Sequence, residues 1–261
     1  MGYLPLVYLP PELRRGYLEW SWSLVQAEVA TWRLEDPAGR VRYLKLGAAS
    51  RFPRVLDEGA RMRWAQAHLP VPEVLDCGTD GKVDWLVTAG LPGRPATEEL
   101  PTADPERVVG LLARGLRRFH TAPVAACPFD FSLDAALAHV RARVEGGLVD
   151  PDEDFHPEHR HLTPEGALAE LERLRPGGED LVVCHGDYCP PNVLIAEGEI
   201  TGFVDLGELG VADRWWDLAV ASWSITWNLG PGWEELFLDV YGTERDPDRT
   251  AFYRLLYDLV S

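Results

Sequence analysis

The sequence predicts an α+β protein in which a strand-rich first third is followed by a helix-rich remainder. Two observations carry this prediction: apolar residues alternate with polar ones in the early segments, whereas they recur every three or four residues in most of the later ones. The glycine- and proline-rich stretch "GLPGRPA" at 90–96 lies where the first pattern gives way to the second. We therefore expect two domains, 1–91 and 92–261.

The strand pattern occurs in two pairs of segments, each joined by a tight turn. Residues 28–47 alternate around the turn "DPAGR", which predicts a β-hairpin with Lys45 on its second strand. Residues 73–90 predict another hairpin, with Lys82 at the turn "TDGK", where we expect an exposed side chain. The sequence has two lysines, and the other 23 of its 25 basic residues are arginines. A lysine inside a strand is therefore unusual in this chain and needs an explanation.

The helical pattern begins between the two hairpins and dominates the second half of the chain. Residues 54–69 predict a helix that carries Glu58 in its first half and stops at a proline. Residues 104–123 begin with an Asp-Pro start signal and predict a longer helix. Residues 134–175 are predicted to be helical on both sides of the acidic loop "DPDEDFHPEH", and the chain beyond Asp217 is predicted to be helical again.

The composition is that of a globular chain and excludes several classes of function. Its 261 residues are 46% hydrophobic, which is enough to bury a sizeable core. The four cysteines form no CxxC pair, and we find no targeting segment and no apolar run of about 20 residues, so we expect a cytoplasmic protein without a membrane span. A formal net charge of −17 argues against a nucleic acid partner and favours a cationic one.

A small β insert in the second domain carries a group of polar residues. "LVVC" predicts a strand, and "NVLIAEGEITGFVDL" predicts a hairpin that turns at "EGE". Because the two ends of a hairpin lie side by side, Asn192 and Asp205 are expected close together, with Asp187 looped over the same spot. The alternative is that "GDYCPPN" is only a polar turn and that Asp205 only caps a strand.

The spacing of these residues favours phosphoryl transfer. An Asp and an Asn are oxygen donors that suit Mg²⁺, and a separate carboxylate can receive the proton of a hydroxyl. "HGDYCPPN" reproduces the H-x-D-x-x-x-x-N frame of a kinase catalytic loop, and "DLG" stands where D-F-G would follow. In a kinase, an upstream strand lysine paired with a helical glutamate holds the nucleotide phosphates, which is the arrangement predicted for Lys45 and Glu58.

Other chemistries fit the sequence less well. Zinc would need four suitable ligands, and no second His/Cys cluster accompanies Cys184, His185 and Cys189. Serine hydrolysis is disfavoured because no G-x-S-x-G is present. Five further histidines have no ligand spacing and are interpreted as surface or helix-cap residues: His120, His139, His156, His159 and His161.

The stretch "EDLVVCHGDYCPPNVLIAEGEITGFVDLGELGVADRWWDLAVA" resembles the aminoglycoside phosphotransferases, and more closely their 3′-phosphotransferase (kanamycin kinase) branch. "CPFD", "GGLVD", "WLVTAGLPGRP" and "AFYRLLYDL" support a resemblance from about residue 21 to the end. It implies a bilobal, protein-kinase-like fold with a small β-rich N-lobe and a larger helical C-lobe that carries a β-hairpin insert. It also implies ATP- and Mg²⁺-dependent phosphorylation of an aminoglycoside hydroxyl, the 3′-OH, which confers antibiotic resistance.

The resemblance assigns a role to individual residues. Asp187 would be the catalytic base, Lys45 the phosphate-binding lysine and Glu58 its partner. Asn192 and Asp205 would be the magnesium ligands. The catalytic loop would be supported by His185 and Asp217, and the ammonium groups of the drug would face Asp152, Glu153, Asp154 and Asp258.

Two departures from the family pattern leave alternatives open. Residues 22–32, where the family's phosphate loop usually carries Gly and Ser, contain no glycine, which keeps open a nucleotide-binding pseudokinase. Ser224 and Asn228 stand where acidic residues are common, beside the bulky Trp223 and Trp227, which keeps open an amino-sugar or amino-alcohol metabolite as the acceptor. The choice between ATP and GTP, and between a monomer and a weak dimer, also stays open.

Overall fold

A computed structural model describes residues 11–26, 29–50, 52–99 and 104–260, which form two compact units. The first unit contains the described residues up to Pro92 together with Gly202–Gly207. The second contains the described residues of Gly93–Thr201 and those from Glu208 onward. The division along the chain therefore differs from a single cut after residue 91, because the segment that carries Asp205 packs with the first unit.

The first unit is built on a five-stranded antiparallel sheet with strand order β1-β2-β3-β5-β4. Both predicted hairpins and the predicted helix are confirmed, and Lys82 is exposed. The strands are β1 (Ser21–Gln26), β2 (Ala30–Glu35), β3 (Val41–Ala48), β4 (Val74–Thr79) and β5 (Val83–Ala89), and the helices are α1 (Pro11–Gly16) and α2 (Val55–Ala65).

The period of β3 explains where Lys45 lies. Leu44 and Leu46 are buried in the core of this unit, so Lys45 between them lies on the opposite face of the sheet. The helix α2 is anchored by Arg54, which donates two hydrogen bonds of 3.0 Å to the buried carboxylate of Asp84. Because this arginine–carboxylate pair is bidentate, it fixes the orientation of the Arg54 side chain as well as its distance from Asp84.

The second unit is mostly helical, as predicted. The helix α4 begins at Asp104, whose carboxylate accepts a hydrogen bond of 3.1 Å from the backbone N–H of Glu106. Its elements are β6 (Arg94–Pro95), α3 (Ala96–Glu99), α4 (Pro105–Phe119), α5 (Leu133–Glu145), α6 (Pro164–Leu174), β7 (Leu181–Cys184), β8 (Val193–Ala196), β9 (Glu199–Phe203), β10 (Gly210–Asp213), α7 (Trp215–Leu229), α8 (Glu234–Tyr241) and α9 (Pro247–Val260). The last two residues of β9 are counted with the first unit.

Short strands in this unit position the loop that contains Asp187. The strand β7 pairs antiparallel with β10, and β8 and β9 form the predicted hairpin. Its turn consists of Glu197 and Gly198, both with positive φ, which suits the twist of a two-residue hairpin. The α+β prediction is confirmed, and none of the described helices is both long and apolar enough to cross a bilayer.

Candidate active site

The loop after β7 is fastened by the start of α7. Asp217 is fully buried, and its carboxylate accepts hydrogen bonds from the backbone N–H groups of His185 (2.7 Å) and Gly186 (2.9 Å). Trp216 donates its indole N–H to the carbonyl of Gly186 at 2.8 Å. Gly186 has φ of 91°, and a Cβ there would lie 2.4 Å from a side-chain carbon of Glu208, so the loop requires glycine at this position.

A histidine outside the motif completes the environment of Asp217. His120 places Nε2 2.9 Å from Asp217 Oδ2 and Nδ1 2.8 Å from the hydroxyl of Tyr241. The interpretation of His120 as only a helix-cap residue is therefore incomplete: it follows the last residue of α4, but its side chain is buried against Asp217. No local pattern indicated this contact, because the two residues are 97 positions apart.

The carboxylate of Asp187 is held on both oxygens. The side-chain amide of Asn192 donates to Asp187 Oδ2 at 2.8 Å and to its backbone carbonyl at 3.0 Å. The hydroxyl of Tyr257 donates to Oδ1 at 3.1 Å. Burial and the charge of Asp187 raise the pKa of Tyr257 well above its ordinary value, so this hydroxyl stays protonated at neutral pH.

His185 and Asn192 both bond to Asp187, and these bonds indicate what each side chain does. The backbone N–H of Asp187 donates to Nδ1 of the buried His185 at 3.3 Å. The amide nitrogen of Asn192 donates to Asp187, so the amide oxygen is the atom of this side chain that could bind a cation. Tyr257 was not found from the sequence, since it lies on α9, 70 residues from Asp187.

The predicted lysine–glutamate pair forms in the first unit and includes Asp205. Lys45 Nζ lies 2.8 Å from Glu58 Oε2 and 2.7 Å from Asp205 Oδ1. Burial opposes the charge on the lysine, but the two carboxylates outweigh it and raise the pKa of Lys45 above its ordinary value. Burial also raises the pKa of Glu58, an effect that the charge of Lys45 counteracts. Asp205 itself has φ of 61°, a left-handed conformation uncommon outside glycine.

The acidic loop between α5 and α6 is only partly available to a ligand. Asp152 and Glu153 are exposed. Asp154 is half-buried and lies 3.3 Å from Arg143, and it accepts a hydrogen bond of 2.9 Å from the backbone N–H of Asp150. Asp154 therefore stabilises the loop, and Asp152 and Glu153 are its surface charges.

Asp258 lies in the interior instead of presenting its charge to a ligand. Its side chain is fully buried and accepts hydrogen bonds from His156 Nδ1 (2.5 Å), the His156 backbone N–H (3.0 Å) and His159 Nδ1 (2.7 Å). Burial opposes ionisation, but the histidine hydrogen bonds outweigh it and lower the pKa of Asp258. The expectation of direct contact with the drug does not fit this burial, and the two histidines are buttressing residues and not merely surface residues.

The glycine-free segment is described at both ends but not throughout. Its first part lies in β1 and its last part in β2, and these strands pair with each other. Residues 27 and 28, at the centre of the expected phosphate loop, lie outside the described residues. On α7, the side-chain amide of Asn228 donates to the carbonyl of Ser224 at 2.8 Å, so these two neutral residues bond to each other.

Residues 25–253 match the family model described as "Phosphotransferase enzyme family". An aminoglycoside 3′-phosphotransferase of Streptomyces fradiae is 46% identical over 208 residues, which cover 76% of this chain and 77% of that protein. The crystal structure of an aminoglycoside-3′-phosphotransferase of type VIII superimposes with a TM-score of 0.85 at 35% identity, covering 95% of this chain and 96% of the other. Aminoglycoside phosphotransferase APH(3″)-Id from Streptomyces rimosus, solved with ADP and streptomycin, superimposes with a TM-score of 0.82 at 30% identity, covering 99% and 100%.

Proposed function

Because the chain belongs to the phosphotransferase enzyme family, and within it to the aminoglycoside phosphotransferases, we propose that it transfers the γ-phosphoryl group of ATP to an aminoglycoside hydroxyl and so confers antibiotic resistance. The observation that carries the proposal is the carboxylate of Asp187, fixed by Asn192 and Tyr257 on a loop that Asp217 fastens. We assign the 3′-hydroxyl as the acceptor because relatives at 46% and 40% identity are named 3′-phosphotransferases.

Asp187 acts as the catalytic base in this proposal. The acceptor hydroxyl donates to the carboxylate, its oxygen forms a bond to the γ-phosphorus, and the bond between that phosphorus and the bridging oxygen breaks to release ADP. The proton of the hydroxyl passes to Asp187. Because the transfer depends mostly on positioning, the hydrogen bonds from Asn192 and Tyr257 contribute by keeping the carboxylate in one orientation.

Lys45 is proposed to bind the α and β phosphates of the nucleotide. Its hydrogen bond to Glu58 holds the ammonium group in place, and its raised pKa keeps it charged. The glycine-free segment does not remove this support, since Lys45 lies on β3 and not in the β1–β2 turn.

Asn192 and Asp205 are proposed to hold Mg²⁺. An amide oxygen and a carboxylate oxygen are the hard donors that this ion prefers, and the carboxylate of Asp205 is more than a third exposed. When bound, the ion supplies positive charge that neutralises the transferred phosphoryl group. Asp205 also accepts a hydrogen bond from Lys45, so this one proposed donor contacts the phosphate-binding lysine.

The experiment that tests the proposal measures ADP release with a panel of acceptors. With MgATP, kanamycin- and neomycin-type aminoglycosides should stimulate release, whereas choline-like amino alcohols and simple amino sugars should not. Stimulation by an amino alcohol or amino sugar alone would replace the antibiotic with a metabolite. Nucleotide binding without release for any acceptor would make the protein a pseudokinase.

A further inference from the structure

Near the end of α7, Trp227 lies half exposed and stacked on a histidine. Its side chain is 50% exposed, whereas Trp223 one turn earlier is buried. The ring of His156 lies 4.4 Å from that of Trp227, and the two planes differ by 12°. A single exposed aromatic residue needs no explanation by itself. Trp227 is distinguished by two features: the histidine on which it stacks is held by buried groups, and that histidine also neighbours Tyr257.

The stack is supported from beneath by buried polar groups. His156 cannot rotate freely, because Asp258 accepts hydrogen bonds from both its ring and its backbone. Trp223 packs against the same imidazole at 4.2 Å and donates its indole N–H to Glu158 at 3.0 Å. Burying a carboxylate such as Asp258 costs free energy unless it is fully hydrogen-bonded. Moving His156 away would break two of its three hydrogen bonds, so the buried carboxylate keeps His156 in one orientation.

The stack is connected to Asp187 through Tyr257. The ring of His156 is 6.2 Å from the ring of Tyr257. The hydroxyl of Tyr257 is in turn 3.1 Å from Asp187 Oδ1. Trp227, His156 and Tyr257 therefore form a row in which each ring neighbours the next, and the last of them bonds to the proposed base Asp187.

The chemistry of this row indicates its ligand. Aromatic faces attract ammonium groups through the ring quadrupole and bury the apolar C–H faces of saturated rings. The neighbouring Ser224 and Asn228 on α7 are neutral and bond to each other, so this part of the helix offers no opposite charge to a cation. A ring that carries both C–H faces and ammonium groups fits the row, and an aminoglycoside has such rings.

We propose that Trp227, stacked on His156, is the platform on which an amino-sugar or aminocyclitol ring of the acceptor lies while its reacting hydroxyl faces Asp187. The proposal rests on the proposed function and deepens it by naming the group that recognises the drug. The platform binds the acceptor in the ground state and in the transition state alike, so it lowers the KM for the drug and leaves kcat nearly unchanged.

Steady-state kinetics of Trp227→Ala test the platform. The KM for kanamycin should rise about tenfold, the effect of losing a desolvated cation–π contact, while kcat and the KM for ATP stay within about twofold of wild type. Trp227→Phe retains a ring and should recover most of the affinity. Trp233→Ala, a matched loss of a half-buried tryptophan beyond the end of α7, should leave the KM for kanamycin unchanged.

The outcomes separate this proposal from the function it rests on. If wild-type protein phosphorylates kanamycin and Trp227→Ala keeps its KM, the platform is rejected and the function stands. If Trp227→Phe is as impaired as Trp227→Ala, the aromatic ring is not the binding group and the platform is likewise rejected. If wild-type protein phosphorylates no aminoglycoside, both are rejected together.

Discussion

Asp187 receives hydrogen bonds from an amide on one oxygen and from a phenol on the other, and the two donors come from distant parts of the chain. Asn192 is five residues away in the same loop, whereas Tyr257 lies on α9. With a donor on each oxygen, the carboxylate cannot turn without losing a hydrogen bond. Both neighbours therefore keep the proposed base in one orientation.

Replacing Tyr257 by Phe removes one of these donors and leaves one oxygen of Asp187 without it. The carboxylate is then held less firmly, so kcat should fall about fivefold in Tyr257→Phe, the effect of losing one hydrogen bond of about 1 kcal/mol. Tyr253→Phe is the control, because Tyr253 lies one turn earlier on α9 and its hydroxyl has no hydrogen-bond partner among the described residues. A kcat for Tyr257→Phe equal to that of wild type would show that this hydrogen bond does not help to position the base.

The strand β3 and the helix α2 position the lysine–glutamate pair through regular periodicity. Alternation along β3 puts Lys45 opposite the buried leucines, and Arg54 anchors α2 so that Glu58 meets it. Both elements were predicted from spacing alone. The contact of Asp258 with His156 was not, because it joins residues 102 positions apart on elements whose packing no local pattern encodes.

Lys45→Met should impair both nucleotide binding and folding. The KM for ATP should rise roughly tenfold or more, since a hydrogen-bonded charge on the phosphates is lost. Glu58 then stays buried without its cation, and burial raises its pKa. The stability deficit relative to wild type should therefore be absent in acid and grow as pH rises above about 4.3, the value of an unfolded glutamate.

Thermal unfolding of the variant across pH measures this deficit. Lys82→Met is the matched control, because Lys82 is exposed at the β4–β5 turn, and it should change neither property. Adding Glu58→Gln to Lys45→Met should remove the part of this pH dependence that comes from Glu58, and only the part from Asp205, which also loses its ion pair with Lys45, should remain. Unchanged ATP kinetics in Lys45→Met would contradict the proposed role of the pair.

At the scale of the whole molecule, the charge of −17 sets up a field that attracts cations. The resemblance recognised in the sequence is confirmed by the family match, since it depends on motifs of contiguous residues. Which acidic residues face the solvent is decided by tertiary packing. Of the four acidic residues expected at the drug site, Asp152 and Glu153 are exposed, whereas Asp154 and Asp258 are held by other protein groups.

Binding of a polycationic drug should accordingly depend on salt. Charges are screened over about 10 Å at 0.1 M salt, so the KM for kanamycin should rise several-fold from low to moderately high ionic strength. The double variant Asp152→Asn/Glu153→Gln should flatten this dependence. Glu165→Gln/Asp248→Asn removes the same number of exposed charges elsewhere and should flatten it less. Equal flattening in both would show that only the net charge matters.

The most direct test of Asp187 as the base for phosphorylation of an aminoglycoside is phosphorus NMR of kanamycin incubated with MgATP. Wild-type protein should yield a monophosphate at the 3′ position. Asp187→Asn should bind MgATP with unchanged affinity but form this product on the order of 10²-fold more slowly, the usual contribution of a general base. A variant that keeps about a tenth or more of the wild-type kcat, or a wild-type reaction that leaves kanamycin unmodified, would contradict the assignment.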